Sequence, residues 1–217
     1  MKPAKAAIPA LFVLAAVLAG CSRTGELDVG QGVGVSAVRS ACPTTGVVAG
    51  AGDITLFDPA GSQDANAIDM TAVITNVRAQ CGTVNGEIVS QLTFDILARR
   101  TRTDAARTVT VPYFVTVLRG GSQVVSKRVA EATLTFAAGE PRAQARGQGT
   151  AVVNLSAATL PEEVRQQLTR RRRAGDEDAA VDPLSQPEVR DAVRAATFEA
   201  LVGFQLTEAQ LAYNVTR

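Results

Sequence analysis

GEIVSQLTFDILAR, residues 86–99, alternates apolar and polar side chains with a period of two. On an extended backbone Ile88, Leu92, Phe94 and Ile96 fall on one side, and Glu87, Gln91, Thr93 and Asp95 on the other. A helical turn would scatter both sets around its circumference, whereas a strand keeps them apart. The stretch therefore predicts a strand in a sheet with one buried face.

Similar patterns lie on either side of it. Ile68 to Cys81 places Met70, Ala72 and Ile74 at alternate positions, and Val35 to Cys42 and Asp53 to Phe57 are shorter candidates. Thr108 to Leu118 brings Val109, Val111, Tyr113, Val115 and Val117 into step and is rich in β-branched residues. Pro112 within it has no N–H to give a ladder, which predicts an edge strand or a bulge there. Arg119-Gly120-Gly121-Ser122 has the glycines of a hairpin turn, and Val124 to Phe136 forms the returning strand. Gly139-Glu140-Pro141 makes the next break, after which Arg142 to Leu155 is expected to complete a second hairpin with Val153 and Leu155 facing inward. Strands punctuated by turns about every dozen residues predict a mainly β, antiparallel immunoglobulin-like sandwich. The chain has no tryptophan, so the buried tryptophan of antibody domains is missing.

Beyond Leu160 the period changes. Pro161, Glu162 and Glu163 make a helix start, with proline at an early position and acids in the first turn. Residues 161 to about 195 read as a small helical insertion in the domain, broken by a polar loop from Gly175 to Pro187. Glu188 to Ala195 reads as a short helix followed by a strand in which Phe198, Ala200, Val202 and Phe204 alternate. One continuous helix from Glu188 to Leu201 is the competing reading. Thr207 to Gln210 fits a capping box.

At the other end, Lys2 and Lys5 precede an uncharged run from Ala6 to Leu18 that is too short to span a bilayer. The run ends in Leu18-Ala19-Gly20-Cys21, which resembles the lipobox of bacterial lipoproteins at all four positions. The resemblance stops at Cys21. It implies that residues 1–20 are a leader removed before the cysteine, that Cys21 carries a diacylglycerol, and that the chain is held to a membrane. Each buried methylene is worth about 0.8 kcal/mol, and two or more acyl chains hold where one binds only reversibly. Ser22, where an aspartate would signal retention in the inner membrane, implies an outer-membrane address facing the periplasm. The competing reading is a plain leader that leaves Cys21 as a free thiol, a liability in an exported chain.

Residues 21–34 contain Gly25, Gly30, Gly32 and Gly34 and read as a flexible tether, leaving 35–217 as the sandwich domain. Cys42 and Cys81 are the remaining cysteines, and a pair downstream of an export signal reads as a disulfide. Closing that loop stabilises by about 4 kcal/mol in the chain-entropy estimate. A metal site at this pair has no histidine to complete it.

The same lack of histidine removes the usual general base, serine–histidine triads and most zinc chemistry. No Gly-x-Ser-x-Gly elbow, Walker loop or dinucleotide fingerprint follows a strand. The carboxylates Glu162, Glu163, Asp176, Glu177 and Asp178 sit in helix-start or loop contexts where capping and solvation explain them. No catalytic residue, no metal and no cofactor is expected beyond the covalent lipid on Cys21. A net charge of +1 argues against a nucleic-acid partner.

Arg170, Arg171, Arg172 and Arg173 form the sharpest local charge. They would suit phosphates or an acidic partner, but Asp176, Glu177, Asp178 and Asp182 follow closely enough to neutralise them. A calcium site at Asp176, Asp178 and Asp182 lacks the EF-hand spacing. Arg99, Arg100, Arg102 and Arg107 flank Asp104 in what reads as a solvated loop, with an anion-binding rim as the sharper alternative. Tyr113, Phe114, Phe198 and Phe204 read as core rather than as a ligand cage.

The expected function is a non-enzymatic, membrane-held module that binds an envelope protein partner. A small-molecule or glycan-binding lipoprotein is the alternative, and a carboxylate hydrolase the third reading. A bare sheet edge or apolar patch would favour the first. A pocket with few convergent polar groups would favour the second, and two carboxylates facing one cleft the third.

Overall fold

A computed structural model of the chain describes residues 40–216 apart from 171, 174 and 179. The leader, Cys21, the tether, the first part of the Val35–Cys42 candidate and Arg171 lie outside the described residues. The described chain falls into two compact units, and the segment from Arg171 to Val181 belongs to a different unit from the sandwich.

The sandwich has eight strands: β1 (Thr44–Val47), β2 (Asp53–Phe57), β3 (Ile68–Val84), β4 (Glu87–Arg100), β5 (Arg107–Arg119), β6 (Gln123–Phe136), β7 (Arg142–Asn154) and β8 (Phe198–Phe204). Among the described residues four α-helices lie towards the C-terminal side: α1 (Leu155–Ala158), α2 (Glu162–Thr169), α3 (Pro187–Ala195) and α4 (Glu208–Thr216). The first sheet has the order β1-β8-β5-β6 and the second β2-β3-β4-β7. All pairings are antiparallel except β1 with β8.

The alternation in β4 is realised in full: Ile88, Leu92, Phe94 and Ile96 are each no more than 1% exposed. They face Val111, Tyr113, Val115 and Val117 of β5 and Phe198, Ala200, Val202 and Phe204 of β8 across one apolar core. Phe94 meets Tyr113 edge to face with ring centroids 5.1 Å apart. The Tyr113 hydroxyl donates to the Gln148 carbonyl of β7 at 2.9 Å, so its polar tip is satisfied by the opposite sheet. The hairpin glycines do what the turn requires, with φ of +62° at Gly120 and +80° at Gly121.

Cys42 and Cys81 are joined as a disulfide with Cα atoms 6.1 Å apart. This tie explains one departure from the sequence reading. Cys42 is drawn towards β3 in the second sheet and lies in a bend, so β1 starts only at Thr44, where pairing with β8 begins.

Two further departures concern strand partners. β5 is not an edge, since β6 and β8 flank it. Pro112 is tolerated because β8 pairs only from Tyr113↔Phe204 onward. Its carbonyl accepts from Gln205 N at 2.9 Å, so its missing N–H faces the place where the neighbouring ladder stops. β7 does not form a hairpin with β6 but crosses to the second sheet, pairing with β4 from Arg99↔Arg142 to Glu87↔Asn154. Small residues fit it to that position, because Gly147 lies opposite Phe94 and leaves room for the ring. Val153 is buried as expected, but Leu155 opens α1, which Asn154 caps by accepting from Ser156 N at 2.9 Å.

The helix-then-strand reading holds after Pro187: α3 ends at Ala195 and β8 starts at Phe198. Thr207 N donates to Gln210 Oε1 at 2.9 Å and Gln210 N to Thr207 Oγ1 at 3.3 Å, a reciprocal cap at the start of α4.

Candidate functional site

The arginines that follow β4 look alike in sequence and meet different fates. Arg100, 4% exposed, donates to the carbonyls of Ala105 and Ala137 at 2.7 Å each, of Glu140 at 3.1 Å and of Thr103 at 3.4 Å. Its guanidinium also stacks 5.0 Å from the Phe136 ring centroid. All three nitrogens are used in joining two loops, which makes Arg100 a structural clamp. Arg107 Nη1 donates to both oxygens of buried Asp69, at 2.9 and 2.7 Å. Arg102 adds a 3.3 Å contact to Asp69 and a bond to Asp58, whose carboxylate holds the Arg102 guanidinium above its usual value by hydrogen bonding and charge. Arg102 and Arg107 pair with carboxylates but stay exposed, so the solvated-loop reading is corrected only for Arg100, which is buried. Arg99 makes no such contact among the described residues and lies exposed on the outer face of the second sheet.

The Arg170–Arg173 run is split. Arg170 N donates to Gln166 O at the end of α2. Arg172 Nε lies 3.6 Å from Asp178 Oδ2, and Arg173 N donates to Asp176 Oδ2 at 2.9 Å. Asp182 caps the next turn, accepting from Leu184 N at 2.9 Å. Glu162 accepts from Arg165 and Gln166, and these bonds hold its carboxyl below the usual range. A general acid at neutral pH needs the opposite shift. Among the described residues no cluster of three histidine, cysteine or acidic side chains could hold a metal. Tyr113, Phe114, Phe198 and Phe204 are all buried.

Two surfaces remain. The first is β6, which among the described residues is an edge strand bonded on one side to β5. Its first nine residues, Gln123 to Glu131, are exposed on both faces, and only from Ala132 does one face turn inward. Val124, Val125 and Val129 are 61%, 51% and 57% exposed. Lys127 folds over the outer face with Nζ 4.2 Å from the Phe114 ring centroid, so its charge does not guard the open edge. The sequence does carry a signal here: the adjacent valines 124 and 125 break the period of two.

The second surface is an open cavity of about 840 Å³ on the outer face of the second sheet, where Val73, Leu97, Arg99 and Arg142 converge. Sequence reading assigned outward polar positions to β4 but could not show which side chains would meet them from β3 and β7. No known protein family, curated protein or solved structure matches the chain.

Proposed function

We propose that the chain is a lipid-anchored, exported module that binds a protein partner by adding a strand of that partner to β6. The exposure of Gln123 to Glu131 on a free sheet edge carries this reading. Such an edge offers unpaired backbone N–H and C=O groups for affinity and alternate side chains for specificity. Val129 pairs with Phe114 and Val124, beyond a register shift, with Leu118, so both lie on the outer face, while Arg128 pairs with Val115 and lies on the other. They suit an extended segment with β-branched residues on its first face and an acid on its second. The Leu18–Cys21 resemblance supports an anchor at Cys21, and the Cys42–Cys81 disulfide is compatible with an oxidising compartment. The address that follows is the outer membrane, facing the periplasm. Among the described residues no helix is long and apolar enough to cross a membrane.

Two measurements test the two halves separately. Cys21→Ala is expected to move the protein from the membrane pellet to the soluble fraction; retention after carbonate washing would remove the anchor. A photo-crosslinking residue at Val125 or Val129 is expected to trap one partner that the same residue at exposed Glu163 does not. In the same assay Val125→Lys with Val129→Lys should cut the yield at least tenfold while leaving thermal stability unchanged. Equal trapping from Glu163, or no loss in the lysine variant, would refute strand addition at β6.

A further inference from the structure

We propose that the outer face of the second sheet binds an anionic amphiphile, with Arg99 and Arg142 holding its carboxylate or phosphate and Val73 and Leu97 lying beneath its hydrocarbon. This rests on different residues from the β6 reading and stands apart from it.

Strand register builds the site. One row across the sheet runs Asp53, Val73, Leu97, Gln144, and the next runs Thr71, Arg99, Arg142. Arg99 and Arg142 are therefore direct cross-strand neighbours with like charge, an arrangement that destabilises a sheet unless something lies between the two. Among the described residues neither makes a salt bridge or a side-chain hydrogen bond. The same face behaves differently further along, where Asp95 and Arg146 are register partners and Arg146 Nε lies 3.8 Å from Asp95 Oδ1. Arg99 and Arg142 thus present two guanidinium forks to one space, each able to take two oxygens of an anion.

The row beside them supplies the rest of the ligand. Val73 and Leu97 are 44% and 42% exposed, side by side on adjacent strands, and floor the same cavity. Its volume of about 840 Å³ falls in the range of small-molecule sites. Asp53 lies at the β2 side, three strand spacings or about 14 Å from β7. Charge is therefore segregated: cations at the β4–β7 side, an acid at the β2 side, apolar surface between. An anion with a neutral hydrocarbon body matches that order when its head sits on β4–β7. An eight-carbon chain spans about two strand spacings, or ~10 Å, enough to cover Leu97 and Val73 without reaching Asp53.

The test uses the full chain carrying Cys21→Ala, so that no lipid of its own competes. Octanoate and octyl phosphate are titrated by calorimetry, with inorganic phosphate and 1-octanol as head-only and body-only probes. At least one of the two amphiphiles is expected to bind, each single-part probe at least tenfold more weakly. Preference for octanoate or for octyl phosphate would identify the head group. Arg99→Gln with Arg142→Gln should weaken binding at least tenfold, and Leu97→Ser should weaken it without altering which head is preferred. The unliganded Arg142→Gln protein should melt no lower than the parent, since a like-charge pair has been removed. Unchanged affinity in the double variant, inorganic phosphate or octanol binding as tightly as the amphiphiles, no binding at all, or a lower melting temperature for Arg142→Gln would each overturn the proposal.

Discussion

Arg100→Met is expected to destabilise the fold by about 3 kcal/mol or more, since hydrogen bonds from a charged donor contribute about 1.5–3 kcal/mol each and do not simply add. Methionine keeps the stem but removes the donors that reach Ala105, Ala137, Glu140 and Thr103. Those carbonyls belong to two separate connections, β4–β5 and β6–β7, so the loss falls on both at once. Arg100→Lys should recover less than half, because one ammonium cannot reproduce a planar fork whose separate nitrogens bond in different directions. The measurement is a urea midpoint with the slope checked for constancy. Hydrogen exchange should show lost protection at Thr101 and Gly139, whose amides donate across the same loops to Asp69 O and Thr103 O. A loss below about 1 kcal/mol would mean that water replaces the guanidinium without penalty, and the clamp would be incidental.

Phe94→Ala is expected to cost about 3–5 kcal/mol, the usual range for emptying a buried aromatic site. Phe94 is 1% exposed, meets Tyr113 edge to face, and lies over its register partner Gly147 so closely that a Cβ there would sit 2.2 Å from two ring carbons. Gly147→Ala should therefore cost about 2–3 kcal/mol by overpacking. In a Phe94→Leu background the Gly147→Ala penalty should shrink by more than about 1 kcal/mol, the coupling expected of residues in contact. Strictly additive costs in that double-variant cycle would show that the ring is not what keeps residue 147 a glycine.

Legibility followed the range of the forces involved. The inner face of β4, the Gly120–Gly121 turn and the Thr207–Gln210 cap are decided within a few residues, and the sequence showed them. The Cys42–Cys81 pair was legible because few alternatives remained. β7 was misplaced because its partner depends on the match between its Gly147 and the Phe94 ring of β4, which a reading of Arg142–Asn154 alone does not show. Pro112 was misread because its neighbour's length, not its own strand, decides whether an N–H is needed. The arginines illustrate the limit best. Arg99 and Arg100 are adjacent and chemically identical, yet one is buried among carbonyls of which half come from a loop 37 to 40 positions away and the other is left exposed. The convergence of Arg99 and Arg142 needed strand register before it could be seen.

The position of β8 bears on how the chain folds. Leu201 pairs with Gly46 on one side and with Thr116 on the other, so the last of the eight described strands is inserted between the first and the fifth. The second sheet can begin from neighbours in sequence, β2 with β3 and β3 with β4. The first sheet can begin only with its β5–β6 hairpin: its β1–β8 ladder joins segments separated by most of the domain, and parallel pairing of that kind is slow because the loop must close before any contact rewards it. Until β8 arrives, one edge of β5 is bare and Phe198, Ala200, Val202 and Phe204 are missing from the core. The first sheet is therefore expected to close last, when the seven residues of β8 fill the place between β1 and β5.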